Sequence, residues 1–181
     1  MRNSGLVIGT LSTLPAREHP ELLAPPVIAG LETFPEPDVL VAEIDPALAD
    51  TAAFCERYAV PLEQSANCVV VAGRRGDRTT LAACVVLATT RADVNGVVRR
   101  RIDARKASFA PMELTVAETG MEYGGITPIG LPTSWPIYVD ARVAAAGLVI
   151  VGSGVRRSKL VLPGSSLGDL PDAAVVEGLA P

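Results

Sequence analysis

The sequence predicts an α+β (mixed α/β) fold in which helices flank a mixed β-sheet, and three observations predict it. The chain has 181 residues, of which 49% are hydrophobic and 20% charged, enough for one compact domain with its own core. Short apolar runs typical of strands alternate with segments of helical spacing. Two of these runs, residues 68–72 and 81–88, are apolar on both faces, which favours strands at the centre of a sheet that is covered on both sides.

The first predicted strand is residues 39–44, and a helix follows it directly. Asp45 and Pro46 form a favourable helix start, because aspartate caps the first N–H groups and proline fits the first helical position. Helical spacing of apolar residues continues to about Tyr58, so we expect one helix over residues 45–58. The two central apolar runs are then joined by residues 73–78, a polar segment with two glycines, which predicts a hairpin.

Two further helices are expected after the hairpin. Thr90 followed by Asp93 resembles a capping box, which predicts a helix to about Arg101. Gly96 within it weakens the helix by about 1 kcal/mol relative to alanine. A shorter helix is expected over residues 111–118, ended by the glycine two residues later.

A glycine-rich and proline-rich segment, residues 119–132, follows the second helix. Four glycines and two prolines in fourteen residues predict a loop with left-handed angles at some positions and stiffened backbone at others. Such a loop either connects a helix to a strand or turns bare N–H groups toward a ligand. Strands are expected after it at 137–140, 147–152 and 158–162, with a short alanine-rich helical turn after the first.

Composition excludes several kinds of site. The single histidine, His19, lies in a proline-rich stretch, which argues against a Ser-His-Asp or Cys-His catalytic device. The three cysteines, Cys55, Cys68 and Cys84, lack the spacing of zinc ligands and fit small buried hydrophobic positions. We therefore expect neither a metal nor an organic cofactor. With no leader pattern and no apolar run of about 18 residues, we also expect a soluble cytoplasmic protein without a membrane segment.

Charge is unevenly distributed along the chain. The formal net charge is −4, yet residues 66–110 carry nine basic and three acidic side chains, whereas residues 1–65 carry three basic and ten acidic ones. This basic middle is either a solvated face balanced by acidic neighbours in space or a binding surface for a polyanion.

Residues 120–130 resemble the TGxxxGGxxPxG signature of the YbaK/ProX family, the aminoacyl-tRNA deacylases related to the editing domain of prolyl-tRNA synthetases. The likeness continues in order along the chain. Residues 58–67 are similar to the family's approach to its catalytic strand, and residues 137–140 to its strand ending in aspartate. Residues 151–160 resemble its GxGxRxxxL-like turn, so that the resemblance covers roughly residues 45–176.

The resemblance implies a YbaK-like, partly barrel-like sheet with flanking helices, and hydrolysis of the ester that joins a wrong, small amino acid to tRNA, tRNA-Pro being one candidate. Such a deacylase acts as a second sieve for translation fidelity, because a synthetase pocket rejects small side chains too weakly. The implied partners are aminoacyl-tRNA and, as a further candidate, an aminoacyl-tRNA synthetase. The oligomeric state is not implied.

The resemblance also implies candidate site residues. Asn67 would orient the substrate or the attacking water, and the backbone of Gly124 and Gly125 would donate to the ester carbonyl. Asp140 would either hold the loop or meet the α-ammonium of the substrate. The other residues expected around the substrate are Thr127, Pro128, Gly130, Gly152, Ser153 and Gly154. The residues expected along the tRNA backbone are Arg74, Arg75, Arg78, Arg99, Arg100 and Lys106.

One departure from the family pattern concerns activity. Asn67 occupies the position of the family's functional lysine, and the two lysines of the chain, Lys106 and Lys159, do not align there. Asparagine carries no charge, and charge-assisted hydrogen bonds are about twice as strong as neutral ones. The alternative to a deacylase is therefore a weak or inactive binding module for tRNA or a small amino-acid-like ligand.

The expected domain organisation is a single YbaK-like domain over residues 1–181, with residues 1–38 as an N-terminal extension that the resemblance does not account for. Its prolines allow it to wrap the surface of a partner, as in a regulatory subunit, or to pack on its own domain.

Overall fold

The computed structural model describes residues 8–181, which fold around two β-sheets. The strands are β1 (Leu14–Pro15), β2 (Leu40–Glu43), β3 (Ala66–Arg75), β4 (Arg78–Leu87), β5 (Lys106–Phe109), β6 (Ile137–Asp140), β7 (Leu148–Gly152), β8 (Ser158–Pro163) and β9 (Ala173–Val176). One sheet has the order β1-β2-β8-β7 and is antiparallel throughout. The other has the order β5-β3-β4-β6-β9.

Short helices connect and cover the strands. The α-helices are α1 (Pro25–Thr33), α2 (Thr51–Tyr58), α3 (Arg99–Arg101), α4 (Met112–Thr119) and α5 (Ala141–Ala145). Single turns of 3₁₀ helix lie at Ala16–Glu18, Pro20–Leu22, Pro46–Leu48 and Leu62–Gln64, a longer one at Gly164–Asp169, and a π-helical turn at Val94–Val98. Within residues 8–181, no helix combines the length and the hydropathy that a membrane crossing requires.

The predicted α+β fold is confirmed, but the expected single sheet is two. The five-stranded sheet is mixed: β3 pairs antiparallel with β4 and β5, whereas β6 is parallel to both β4 and β9. The two sheets meet at a parallel bridge between Ser65 and Ile150 and do not close into a barrel. Which strands pair depends on contacts between distant parts of the chain, and apolar patterns alone do not specify those contacts.

The central hairpin is confirmed. Strand β3 pairs with β4 along its whole length, from Ala66 opposite Leu87 to Arg75 opposite Arg78. Alternate residues of β4 belong to two different hydrophobic clusters. Ala83 and Val85 belong to one cluster, and Ala82 belongs to the other. Both faces of the hairpin are therefore covered, as its continuous apolar runs predict.

The predicted helix over residues 45–58 is wrong in its first part. Asp45 accepts a 2.9 Å hydrogen bond from the Ala47 amide, but it caps a single 3₁₀ turn. The chain is extended again at Asp50, and α2 begins at Thr51. The carbonyl of Ala49 accepts a hydrogen bond from the Lys159 side chain. A charged donor from a distant strand therefore bonds to this carbonyl where the helix is interrupted.

The predicted helix from Thr90 begins later than expected. Asp93 is the cap, because its carboxylate accepts from the amides of Gly96 and Val97 at 2.9 and 3.0 Å. The π-helical turn that follows continues into α3. A side chain at position 96 would collide with the Asp93 carboxylate, so the glycine serves this cap and is not merely a weak helix former.

The remaining predicted elements are present close to their expected bounds. Helix α4 ends at Gly120, whose φ of +66° is the left-handed angle that glycine adopts readily. The predicted strands at 39–44, 137–140, 147–152 and 158–162 correspond to β2, β6, β7 and β8.

The N-terminal segment packs directly on the rest of the protein. Ala24 donates through its amide to the Ser153 carbonyl at 3.2 Å, and the Ser158 hydroxyl donates to the Leu22 carbonyl at 2.5 Å. In α1, Gly30 lies so close to Gly130 that a Cβ at position 30 would be 2.7 Å from the Gly130 nitrogen. Of the predicted extension over residues 1–38, residues 1–7 lie outside the described residues.

Candidate functional site

A cavity of about 380 Å³ lies between the two sheets, where β3 approaches β7 and β8. Its walls come from five parts of the chain that are distant in sequence. The contributing residues are Ala49–Thr51, Ser65–Val70, Phe109–Ala110 with Thr115, the loop residues Tyr123, Gly124 and Ile126, and Ile150–Gly152 with Lys159. Asn67, Gly124 and Gly152 from the predicted site therefore line one cavity, together with several residues that were not predicted.

Asn67 lies at the start of β3, opposite Val86, and is half-buried. Its Oδ1 accepts a 2.7 Å hydrogen bond from the hydroxyl of Thr51, the first residue of α2. Among residues 8–181 its Nδ2 group has no protein acceptor, so the amide can donate to a ligand in the cavity.

The loop over residues 120–130, called here the glycine loop, presents only part of the predicted donor pair. The Gly125 amide donates to the Glu122 carbonyl at 2.9 Å, and the Gly125 carbonyl accepts from Gly154 at 2.7 Å. The Gly124 amide has no acceptor within the described part of the chain. Of the two backbone amides predicted to donate to a ligand, only that of Gly124 is free to do so, because the Gly125 amide bonds within the loop itself.

Close backbone packing explains the glycines of this region. A Cβ at Gly125 would lie 2.6 Å from the Val155 carbonyl oxygen, and one at Gly152 would collide with the carbonyl oxygens of Gly125 and Ile126. The glycine loop thus rests directly on the end of β7. Arg156 adds a tether, since its guanidinium donates to the Tyr123 carbonyl at 3.1 Å.

Lys159 is the main functional candidate that sequence reasoning missed. It is 9% exposed, lies on β8 opposite Gly152 and lines the cavity. Its Nζ donates to the Ala49 carbonyl at 3.0 Å and lies 5.4 Å from the centre of the Phe54 ring. Burial lowers the pKa of the ammonium from 10.5 to about 8, and the nearby Arg156 adds to this shift. The available signal was a single lysine within an otherwise uncharged strand.

Three residues predicted to shape the pocket lie elsewhere. Thr127 is completely buried, and within residues 8–181 its hydroxyl has no partner. Pro128 and Gly130 line a second cavity of about 310 Å³ between the glycine loop and α1. The proline half of the loop therefore packs toward the N-terminal helix, and its glycine half faces the first cavity.

Asp140, Ser153 and Gly154 occupy structural positions. The buried Asp140 carboxylate accepts from the amides of Arg142 and Ala180 at 2.9 and 3.0 Å and so caps α5 and holds the C-terminal segment. The buried Ser153 hydroxyl donates within the turn before β8. Gly154 leaves no room for a Cβ next to Ala24. None of these three lines the first cavity.

Asp50 is a second feature that the sequence did not single out. It is the N-terminal flanking residue of α2, yet its side chain accepts no capping hydrogen bond. Among residues 8–181, it is the one carboxylate that lines the cavity. An exposed, uncommitted carboxylate at the mouth attracts a positively charged group of a ligand.

Cys68 also lines the cavity but does not present a thiolate. Burial and the neighbouring Cys84 raise the pKa of its thiol far above the usual range. A neutral thiol is a poor nucleophile. Nor do three His, Cys, Asp or Glu side chains converge as metal ligands anywhere in residues 8–181.

Four of the six predicted tRNA-facing residues, Arg74, Arg75, Arg78 and Lys106, lie together at the far end of the central hairpin, and the other two, Arg99 and Arg100, lie on α3. Arg74 on β3 lies opposite Lys106 on β5. Arg75 and Arg78 share the carboxylate of Asp103 at 2.6 and 3.1 Å, which leaves this group with a net positive charge. We call the set the basic surface: Arg74, Arg75, Arg78, Arg99, Arg100 and Lys106.

Comparison with known protein families identifies the family to which this chain belongs. The profile described as the aminoacyl-tRNA editing domain matches residues 45–170. The chain belongs to this family. The match contains the start of β3, the glycine loop and β8, and therefore every part of the chain that forms the first cavity. No curated protein sequence matches the chain.

Solved structures share the fold of this editing domain. One is a candidate trans-editing enzyme for prolyl-tRNA synthetase, with 23% identity, a TM-score of 0.71 and coverage of 85% of this chain and 94% of that one. Another is a scaffold protein from the computational design of epitope presentation, with 23% identity, a TM-score of 0.72 and coverage of 85% and 95%. A hypothetical protein, APE2540, has 18% identity, a TM-score of 0.68 and coverage of 78% and 90%. These likenesses show the YbaK-like fold.

Proposed function

We propose that this editing domain is a trans-editing aminoacyl-tRNA deacylase that hydrolyses the ester of a small, wrongly attached amino acid, with tRNA-Pro as a candidate carrier. The observation that carries the proposal is the single cavity shared by Asn67, Gly124 and Gly152. Two N–H donors without a protein acceptor among residues 8–181, the side-chain amide of Asn67 and the backbone amide of Gly124, line this cavity. Donors of this kind stabilise the oxygen of an ester carbonyl as negative charge develops on it.

The cavity supports a water-mediated reaction. Water adds to the carbonyl carbon, the bond from that carbon to the ribose oxygen breaks, and a proton passes to the ribose oxygen. The products are the free amino acid and a tRNA with a free hydroxyl group. Because the pKa of the Cys68 thiol is raised by burial, attack by water or by a hydroxyl of the substrate agrees better with the cavity than a thioester intermediate does.

Charge at the mouth supports an aminoacyl substrate. Asp50 would attract the α-ammonium group, a role considered for Asp140 from the sequence. Asp140 is committed to two backbone amides, whereas the Asp50 carboxylate has no capping bond. The cavity volume of about 380 Å³ suits the terminal nucleoside and a small amino acid.

The basic surface would hold the phosphate backbone of the tRNA. Strand β5 runs from Lys106 in this surface to Phe109 at the cavity mouth, a distance of roughly 10 Å for three extended residues. Phe109 and Tyr123 are 59% and 56% exposed at that mouth, and aromatic rings of this kind stack on unpaired bases. Strand β5 would therefore lead a tRNA acceptor end from the basic surface to the cavity.

Deacylation assays on alanyl-, cysteinyl-, seryl- and prolyl-tRNA test the proposal, with wild-type protein beside Asn67→Ala. We expect turnover of at least one of the small aminoacyl groups, and a loss of at least tenfold in kcat for Asn67→Ala without a change in thermal stability. A protein that binds these tRNAs but hydrolyses none of them would instead be a binding module. That second candidate is favoured by the uncharged Asn67 at the position of the family lysine.

A further inference from the structure

A buried ammonium group without an ionic partner stands in the wall of the first cavity. Lys159 lies between buried Ser158 and buried Leu160 on β8 and is itself 9% exposed. Among residues 8–181, no carboxylate lies within 4.0 Å of its Nζ. An unpaired charge removed from water is costly, so a lysine at this position reduces the stability of the folded protein.

The ammonium group is held in place by a hydrogen bond but still has free N–H donors. One of its three N–H donors is engaged, by the Ala49 carbonyl at 3.0 Å. The Phe54 ring, 5.4 Å away, gives further support through its negative face. Two donors remain for a ligand.

The lysine side chain is not shielded from the cavity by its neighbour on β7. Its cross-strand partner is Gly152, so no neighbouring side chain on β7 stands between the lysine stem and the cavity. Asn67 and Gly124 line the same cavity. A carbonyl oxygen held there would have charged and neutral donors around it.

We propose that Lys159 is a catalytic residue, whose ammonium group donates to the ester carbonyl oxygen and stabilises the negative charge that forms on it during hydrolysis. This inference rests on the proposed deacylase function. It gives the reaction a cation from β8, although position 67 on β3 is an uncharged asparagine. A charged donor in a partly enclosed site stabilises such an oxygen more strongly than a neutral amide does.

The protonated form is the one that this role requires. The charged and titratable groups that act on Lys159 are Arg156, in the turn before β8, and Cys55 and Asp50, on α2 and at its start. With a pKa of about 8, the group is largely protonated at neutral pH and loses its proton in mildly alkaline solution. A neutral amine acting as a general base would have the opposite pH dependence.

The test compares wild-type protein with Lys159→Met and Lys159→Gln on the best aminoacyl-tRNA substrate, and Arg57→Met controls for the loss of one positive charge outside the cavity. We expect kcat to fall about a hundredfold in both Lys159 variants, with KM changed less than threefold and thermal unfolding still cooperative. Arg57→Met should retain wild-type kinetics. A folded Lys159 variant with kcat within threefold of wild type would overturn the assignment.

The pH profile of the wild-type protein is a second measurement that does not depend on any variant folding. After subtraction of uncatalysed hydrolysis, kcat/KM should decline above pH of about 8. A rise through this range would reject a charged donor and indicate a base. If wild-type protein hydrolyses no aminoacyl-tRNA, the proposed function fails and the inference fails with it. If wild type is active and the Lys159 variants are equally active, the inference alone fails.

Discussion

The hydroxyl of Thr51 donates a 2.7 Å hydrogen bond to Oδ1 of Asn67, linking the start of α2 to the start of β3. This bond fixes which end of the amide faces the cavity. With its oxygen engaged, Asn67 presents its NH₂ group, and a ligand carbonyl is the matching acceptor. Asn67 thus depends on a residue 16 positions earlier in the chain.

The first prediction concerns this positioning bond. Thr51→Val keeps the shape of the side chain but removes the donor, so the Asn67 amide loses its fixed orientation. We expect kcat to fall about fivefold to tenfold, consistent with the loss of about 1 kcal/mol from one hydrogen bond. Thr51→Ser keeps the hydroxyl and should remain within twofold of wild type in the same deacylation assay. Equal activity of the two variants would contradict a positioning role.

The second prediction concerns Asp50 and the α-amino group of the substrate. Asp50→Asn removes the carboxylate at the cavity mouth, and we expect KM for aminoacyl-tRNA to rise about threefold because an exposed charge acts weakly through solvent. N-acetylated aminoacyl-tRNA, which has no α-ammonium group, should be hydrolysed equally by the variant and the wild type. A similar loss on both substrates would show that Asp50 supports the fold and not the amino group.

The third prediction concerns the seat of the glycine loop. Gly152→Ala places a methyl group against the carbonyl oxygens of Gly125 and Ile126, which forces the loop away from β7. We expect a loss of about 2 kcal/mol or more in unfolding free energy, together with a large loss of deacylation. Gly147→Asn is the control, because position 147 has open space and a φ of +73° that asparagine tolerates. Urea unfolding measures both, and equal stability of the two variants would argue against the close packing.

The fourth prediction concerns the stability cost of Lys159. Its pKa is lowered from 10.5 to about 8 in the folded protein, so at neutral pH the charged form favours the unfolded chain. At pH values between these two pKa values, the lysine has lost its proton in the folded state and keeps it in the unfolded state. The contribution of this group to stability therefore rises with pH. The shift corresponds to a cost of about 3 kcal/mol at neutral pH.

Lys159→Met removes this cost. Relative to wild type, we expect the variant to gain unfolding free energy at pH 7 and to lose part of that advantage by pH 10. Taking the difference between the two proteins at each pH cancels the contributions of Cys68 and Cys84, whose thiol pKa values are raised by burial and which therefore stabilise the fold less as the pH rises. Urea unfolding measures the free energy of unfolding of both proteins. A difference between them that does not change with pH would show that burial does not destabilise the ammonium group in the folded protein.

The fifth prediction concerns the basic surface. Arg74→Gln and Lys106→Gln each remove one exposed charge from adjacent strands, and each should weaken tRNA binding while leaving kcat unchanged. The slope of log affinity against log salt should become shallower by about 0.7 to 0.9 per lost phosphate contact. Arg57→Gln, an exposed change on α2, should leave the slope as it is. An unchanged slope for the first two variants would place the tRNA elsewhere.

Local chemistry made much of this molecule predictable from its sequence. Continuous apolar runs gave the central hairpin, and Gly120 gave the end of α4, because such signals depend on residues close together in the chain. The signature around the glycine loop pointed to the family for the same reason. Asn67 and Gly124, which are distant in sequence, do line a common cavity.

Only the tertiary structure decided which side chains surround that cavity. Lys159 is separated from Asn67 by most of the domain in sequence, and it reaches the same space because β8 pairs with β7 and β7 bridges to the start of β3. Asp140 and Thr127, chosen from the sequence, are drawn instead into a helix cap and the interior. Strand pairing and burial are summed over many weak, long-range contacts, so no short stretch of sequence states their outcome.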